Sequence, residues 1–418
     1  MRNSFAALAV RNYAILWGGS LATFTAFFMS TIVQAIVAFE LTGKDSAVGV
    51  VLLGQGISMT ILGPFGGAVA DRASKRLVSA LSATVITIVF LAIGILLALE
   101  RIEVYHLAIG SFFIGAMFAF MGPARQAWVV ELVGEDLRAN AVALNQVALN
   151  AARIWAPAIA AGLIAISFVG AAGAYFLMSA LYGVAATSLL LLPASSPRAT
   201  GGDRSVLQDM VAGVKYVQAQ PRLRWMLVLF FAMIVLGLSS VTVLPGLLEN
   251  ELDVGLEPFG LLQTANAVGG LAASLAVAGI AGSPRALTVY SAGALLTGIA
   301  LVLTGLSPNL LFLFFPMVLT GLGAGAFQTL NSAVIVMEAE PAYYGRVTSL
   351  TSLAFAGFML AGLPVGLAAD AFGERITLIV MGVLTIVIVL VLWPVIARAK
   401  PNPKVHTREV KTTAASGD

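Results

Sequence analysis

The stretch GAVADRASKR, residues Gly67 to Arg76, lies between two long apolar runs and decides how the rest of the chain is interpreted. It brings four charged residues together in a chain of which only 10% of residues are charged. Glycine allows helices to approach closely, Asp71 can hold a helix end, and basic residues such as Arg72 and Lys75 keep a turn in the cytoplasm. The stretch therefore predicts a cytoplasmic turn between two membrane-spanning helices.

The composition requires a membrane protein. Of 418 residues, 59% are hydrophobic and the mean hydropathy is +0.97, whereas about a quarter of the residues in soluble proteins are charged. A span needs about 20 largely apolar residues, so twelve spans with their turns use most of the chain. With no cysteine, two histidines and none of the common catalytic motifs, the sequence predicts no enzyme, no cofactor and no metal site.

Twelve apolar runs follow one another along the chain. We predict spans near 13–39, 47–70, 77–99, 105–126, 141–168, 172–193, 224–248, 258–281, 286–306, 309–337, 347–369 and 375–397. The predicted fold is an all-α membrane protein with twelve transmembrane helices in two six-helix halves.

The polar interval 194–223 divides these runs into two groups of six. Leu207, Val211, Val214 and Val217 recur there at helical spacing, which predicts a helix on the cytoplasmic surface. The predicted domains are the N-terminal half 1–193, the linker 194–223, the C-terminal half 224–399 and a disordered cytoplasmic tail 400–418.

The distribution of Lys and Arg sets the orientation. With the N-terminus inside, 19 of the 23 Lys and Arg residues fall on the cytoplasmic side and only Lys44, Arg101 and Arg375 fall outside. Arg153 is left within a span. We predict a multi-pass protein of the plasma (inner) membrane with both termini cytoplasmic. The basic pI of about 9.2 follows from this bias and does not indicate a nucleic-acid partner.

The sequence resembles the major facilitator superfamily. GAVADRASKR is similar to its motif A, with Ser74 in place of the usual glycine, and the segment from Gly122 to Gly162 (P-A-R-Q-A, A-N-A-V-A-L-N, N-x-A-R) resembles its macrolide- and siderophore-efflux branch, which includes enterobactin exporter-like proteins. Within it, APAIAAG (156–162) is a degraded antiporter motif. The resemblance implies the facilitator fold and a secondary active, ion-coupled exporter of amphiphilic drug- or siderophore-class molecules. We expect a monomer.

A gate at the inner mouth is expected from the resemblance and the charges. Charge pairs that form in one conformation and separate in the other suit alternating access. The candidate gating residues are Gly67, Asp71, Arg72, Lys75, Arg76, Arg125 and Glu131.

Polar residues deep in the spans are the candidate substrate contacts. In the fifth span Gln146, Asn150 and Arg153 share one helix face, and an arginine near the middle of a span should face a cavity or a partner. We predict that it anchors an anionic or carbonyl-rich substrate; the alternative is a structural tie between helices. The resemblance places the first, fourth, seventh and tenth spans around the cavity, which adds Phe27, Gln34, Gln328 and Asn331.

Proton coupling needs a carboxylate in the pathway, and no Asp or Glu lies near the middle of a predicted span. Glu40 is the first candidate and Asp370 the second. Both lie at outer span ends, and a solvated helix end is the alternative for each. Two other functions remain open at this point. One is uptake or lipid translocation on the same fold, and the other is a non-transporting membrane receptor or assembly partner.

Overall fold

In a computed structural model of the chain, residues 5–193, 206–280, 283, 285–340 and 343–399 are described. The described residues form helices and turns without a β-strand, and twelve of the helical segments are long and apolar enough to cross a membrane. Each predicted span overlaps one of them, so the predicted twelve-helix, all-α fold is confirmed. The predicted tail 400–418 and the first part of the linker, 194–205, lie outside the described residues.

The first six spanning helices and the linker helix are α1 (Arg11–Thr42), α2 (Asp45–Arg72), α3 (Lys75–Ala98), α4 (Val104–Glu131), α5 (Arg138–Ala165), α6 (Gly170–Leu190) and α7 (Val206–Ala219). The remainder are α8 (Pro221–Met233), the one-turn α9 (Leu244–Gly246), α10 (Pro258–Ala278), α11 (Ala286–Gly305), α12 (Leu310–Glu338), α13 (Tyr344–Phe372) and α14 (Glu374–Arg398). We call the helix ends that the charge pattern assigns to the cytoplasm inner, and the opposite ends outer.

Local signals explain where several helices begin and end. Gly43 ends α1 in the left-handed conformation (φ 65°), which a glycine adopts without steric cost. Asn309 starts α12, because its side chain accepts a hydrogen bond from the backbone N–H of Phe312 at 2.9 Å. This cap supports a break between α11 and α12 that the sequence marked by little more than Pro308.

Contacts divide the chain into two compact units, and they do not coincide with the sequence halves. Unit 1 comprises residues 1–203, 244–264 and 362–370, and unit 2 comprises 204–243, 265–361 and 371–418. The domain boundaries that the sequence predicts on either side of the linker therefore stay a prediction.

Unit 1 is built from α1 to α6, with α2 against α4, α3 against α6, and α1 against both α5 and α6. A Cβ on Gly66 would overlap the carbonyl oxygen of Ala119, so α2 and α4 are in backbone contact there. Between α1 and α5, the hydroxyl of Tyr13 donates to the carbonyl of Ala141 at 2.7 Å. Close approach and interhelical hydrogen bonds replace the hydrophobic driving force that is missing in lipid.

At its outer end, unit 1 includes segments from the second half of the sequence. A Cβ on Gly49 of α2 would lie 2.6 Å from the carbonyl oxygen of Gly362 of α13, and a Cβ on Gly366 would lie 2.5 Å from that of Asp45. We call this backbone contact between the outer ends of α2 and α13 the outer seam. A similar contact joins α10 to α5, because a Cβ on Gly260 would overlap the carbonyl oxygen of Pro157.

Unit 2 packs α11 against α12 and α14, and α14 against α8. Its core contains a stack in which the Phe327 ring lies 4.4 Å from that of Tyr290 and 5.8 Å from that of Phe230. The linker helix α7 packs against the other helices of this unit. Val217 is buried in a small cluster with residues of α8, α12 and α13, and the Tyr216 ring stacks on that of Tyr343 at 4.0 Å.

The seventh span is not one regular α-helix, although the sequence predicts a continuous span over 224–248. After α8 the backbone passes through a π-helical turn (Ile234–Leu238), a 3-10 turn (Ser240–Thr242), α9 and a second π-helical turn (Leu247–Glu251). Interruptions of this kind often mark functional sites or hinges. The boundary between the two units falls within this irregular stretch, after Val243.

Candidate functional site

One face of α5 carries the predicted polar residues. Gln146, Asn150 and Arg153 lie on successive turns of the same side, and the Gln146 amide donates to the side-chain oxygen of Asn150 at 3.5 Å. Gln146 and Arg153 are exposed and Asn150 is partly exposed. Arg153 lies near the middle of a 28-residue helix, so this polar face reaches deep into the membrane region.

Packing within unit 1 shows which way this face points. Toward the outer end of α5, the face continues through Ile154 and Pro157, and both contact α10. The hydroxyl of Thr264 donates to the carbonyl of Ile154 at 3.1 Å. The face is therefore covered by α10 at its outer part and open farther in.

Aromatic rings lie beside Arg153. Its guanidinium carbon is 5.5 Å from the centre of the Phe28 ring, a cation–π distance. The Phe27 ring lies 5.4 Å from Phe28 and 4.5 Å from Phe118. No described residue accepts a hydrogen bond from Arg153 or pairs its charge. The site thus combines an available cation, two amide side chains and a partly exposed aromatic surface, which can hold a small molecule with polar and apolar parts.

At the inner end of unit 1, two of the predicted gating residues form an ion pair. The ammonium of Lys75, at the start of α3, lies 2.6 Å from the carboxylate of Glu131, at the end of α4. Lys75 is buried, and Arg76 donates to the carbonyl of Leu192 at 3.0 Å. Gly67, Asp71 and Arg72 lie in the last turn and a half of α2, where their side chains are outside the described part of the chain.

Arg125 does not join this pair. It is 4% exposed, and its guanidinium donates to the hydroxyl of Thr23 in α1 at 2.6 Å and contacts the sulfur of Met121 at 3.7 Å. Of the expected network of Asp71, Arg72, Arg125 and Glu131, Arg125 makes no described contact with Glu131, because its side chain turns into the helix bundle.

Comparison with known proteins decides the family. The family model described as Major Facilitator Superfamily matches residues 15–356, and a further match covers 226–416. The chain belongs to the Major Facilitator Superfamily. It is therefore a membrane-embedded, multi-pass transporter, and the predicted facilitator fold is confirmed.

Two relatives match the predicted branch of the superfamily. The staphyloferrin A transporter of Staphylococcus aureus is 26% identical over 367 residues, which cover 85% of this facilitator and 89% of the relative. Macrolide efflux protein A of Streptococcus pyogenes is 23% identical over 376 residues, covering 86% and 89%. The resemblance to the macrolide- and siderophore-efflux branch is thereby confirmed.

Solved structures agree on the fold. A bacterial homologue of the human lysosomal transporter Spinster has a TM-score of 0.75 at 15% identity, covering 93% of this facilitator and 97% of that chain. The nucleoside transporter NupG has a TM-score of 0.72 at 14% identity, covering 93% and 100%. At such identities these likenesses concern the fold alone.

The two candidate coupling carboxylates of this facilitator are in different surroundings. Glu40 is exposed at the outer end of α1. Asp370, at the outer end of α13, accepts hydrogen bonds from the backbone N–H groups of Asp45 at 2.8 Å and Ser46 at 3.3 Å. Asp370 thus caps the N-terminus of α2, where an anion is favoured by the helix dipole. The carboxylate of Asp45 in turn accepts from the backbone N–H of Gly246 at 3.1 Å.

Three predicted cavity residues occupy more packed positions than Arg153. The Gln34 side chain is buried and accepts from the hydroxyl of Ser111 at 2.7 Å, which ties α1 to α4. In unit 2, Asn331 is 3% exposed and lies 3.5 Å from the hydroxyl of Tyr290, whereas Gln328 is partly exposed. Their roles as substrate contacts remain predictions.

Sequence reasoning missed Phe28, Asp45 and Gly246 as members of these sites. Phe28 gave no signal beyond being one of several aromatics in the first span, and Asp45 looked like an ordinary charge in an outer turn. Pro245, next to Gly246, was the available signal that the seventh span is irregular. Among the described residues, no group of His, Cys, Asp and Glu is arranged to hold a metal ion.

Proposed function

We propose that this protein is a secondary active, ion-coupled transporter that exports small amphiphilic molecules from the cytoplasm by alternating access. The observation that carries the proposal is the polar face of α5, with Arg153 deep in a span, exposed and beside Phe28. A charge at that depth is costly unless it has a function or a partner. Export is the direction that the names of the macrolide efflux relatives suggest.

The outer seam supports the part of this proposal in which the outer ends of α2 and α13 separate and rejoin during transport. Opening it separates Gly49 from Gly362 and breaks the hydrogen bonds that Asp370 accepts at the start of α2. Such a contact has two discrete states, made and broken, which is the kind of element that alternating access uses. The ion pair of Lys75 with Glu131 is the corresponding candidate at the inner end of unit 1, together with Gly67, Asp71, Arg72 and Arg76.

Asp370 is the better of the two coupling candidates. Asp370 accepts hydrogen bonds at the α2 N-terminus, so the charge of this carboxylate acts directly on the outer seam. Glu40 is exposed and holds no helix end among the described contacts. We propose a monomer in the plasma membrane, with both termini cytoplasmic.

Transport direction and coupling are tested together in inverted membrane vesicles. We expect vesicles containing the protein to accumulate radiolabelled erythromycin or dansylglycine when a proton gradient is imposed, and a protonophore to abolish the accumulation. Empty-vector vesicles are the control. Accumulation by intact cells instead of vesicles would establish uptake, and no movement in either preparation would favour a non-transporting membrane protein.

A variant pair tests the coupling residue in the same vesicles. Asp370→Asn keeps the size of the side chain but cannot cycle a proton, so we expect gradient-driven transport to be lost while exchange of substrate down its own gradient continues. Glu40→Gln is the matched comparison and should retain gradient-driven transport. The reverse pattern would transfer the coupling role to Glu40.

A further inference from the structure

The membrane-spanning part of unit 1 carries positive charge away from its helix ends. Among its described side chains, only two ionised groups lie in the spans more than a turn from a helix end, Arg125 and Arg153. The described carboxylates of the unit all lie near helix ends or in turns: Glu40, Asp45, Glu100, Glu103, Glu131, Glu135, Asp136, Glu249, Glu251, Asp253, Glu257 and Asp370. A molecule that lies against this part of unit 1 therefore meets a positive potential, with no described carboxylate nearby to offset it.

The two arginines differ in what satisfies them. Arg125 is enclosed and donates to Thr23 and Met121, so the protein itself uses that side chain. Arg153 is exposed, and its one described partner is the face of the Phe28 ring, which leaves the N–H donors of its guanidinium available. A planar guanidinium presents these donors in a fork that matches a carboxylate, sulfonate or phosphate.

The neighbours of Arg153 fit the rest of such a molecule. Gln146 and Asn150, on the preceding turns of α5, offer amide groups to further polar atoms. Phe28 and Phe27 offer aromatic surface on the other side of the guanidinium. A bound anion and the Phe28 ring can contact the same guanidinium at once, because the ring lies over its face while an anion binds its edge.

We propose that Arg153 binds the anionic head of the substrate, and that the transported molecules are amphiphilic anions whose apolar part lies against Phe28 and Phe27. A cationic amphiphile is disfavoured at this position, because it brings a like charge toward an unpaired guanidinium in a region of low dielectric. This inference rests on the proposed transport function and names the chemical class of its substrate.

The test is equilibrium binding of two fluorescent probes that share an apolar group and differ in charge. Dansylglycine is an anion and dansylcadaverine is a cation. With the protein in nanodiscs of zwitterionic lipid, we expect dansylglycine to bind more tightly than dansylcadaverine. Arg153→Gln removes the charge and should weaken dansylglycine binding by about 10- to 100-fold, the range for a hydrogen bond to a charged group.

Two further variants sharpen the result. Arg153→Glu should reverse the preference toward dansylcadaverine, whereas Arg101→Ala, in the exposed turn before α4, should leave both affinities unchanged. Intrinsic tryptophan fluorescence on heating verifies that each variant is folded. Equal binding of the two probes by the native protein, or unchanged dansylglycine binding by folded Arg153→Gln, would overturn the inference.

The binding experiment and the transport experiment can fail independently of each other, so their results distinguish this inference from the proposed function. Selective binding of dansylglycine that depends on Arg153, without movement of either probe in vesicles, contradicts the transport function and supports the anion site. Proton-driven export of erythromycin that is unaffected by Arg153→Gln supports the transport function and overturns the anionic substrate class.

Discussion

Arg125 and Arg153 carry the same guanidinium in opposite surroundings, so their contributions to stability should differ. Arg125→Ala removes a packed, hydrogen-bonded side chain, and we expect the free energy of unfolding to fall by about 2–4 kcal/mol. Arg125→Met refills the space and should cost less than about 1.5 kcal/mol. Arg153→Ala should change the free energy by less than about 0.5 kcal/mol.

These differences are measured by unfolding the protein in detergent and monitoring tryptophan fluorescence. Thiol-reactive dyes cannot report unfolding here, because the chain has no cysteine. A fall at Arg153 as large as that at Arg125 would show that Arg153 is a structural tie, the alternative that the sequence left open. The sequence indicated only that both arginines are unusual. Their different surroundings depend on Thr23 and Phe28, which come from another helix.

At the scale of elements, the outer seam predicts a shift in conformation. A Cβ on Gly366 meets the backbone of Asp45, which cannot move away cheaply, so Gly366→Val should force α2 and α13 apart. The buried Val48 then becomes accessible, and a cysteine placed there should react faster with an impermeant maleimide added from outside. Gly63→Val, in α2 and with open space around it, is the control. Equal labelling in the two variants would contradict the seam.

The linker helix α7 supplies a second element-scale prediction. Tyr216 stacks on Tyr343, and its hydroxyl accepts a hydrogen bond from the backbone N–H of Glu340 at 2.9 Å. We expect Tyr216→Ala to release α7 and to speed tryptic cleavage after the exposed Lys215, because cleavage requires local unfolding. Gln218→Ala, on an exposed position of the same helix, should leave the rate unchanged. An unaltered rate in Tyr216→Ala would mean that Val217 and its cluster hold the helix alone.

The helices show which parts of the fold can be predicted from the sequence and which cannot. The twelve spans follow from the length of the apolar runs, since lipid permits few other structures for them. The irregular seventh span was not predicted, because its π-helical turns depend on contacts such as that of Ser239 with the carbonyl of Phe358. The Asp370 cap could not be predicted either, since its donor lies 325 residues away in the sequence.

At the scale of the whole molecule, the orientation is open to a direct test. Single cysteines can be introduced without background, because the chain has none. We expect Lys44→Cys and Arg101→Cys to react with an impermeant maleimide from outside intact cells, while Ser74→Cys and Thr200→Cys react only after the membrane is permeabilised. Labelling of position 74 in intact cells would reverse the predicted topology.

The membership of residues 362–370 in unit 1 has a consequence for biosynthesis. The helices α1 to α6 leave the ribosome first, but the carboxylate that caps α2 is made hundreds of residues later. A nascent chain stopped after Ala361 contains both Lys75 and Glu131 but lacks the residues of α13 that form the outer seam. During translation, the first six helices are therefore inserted before the residue that caps α2 has been made. The first unit is complete only when the eleventh span has been inserted.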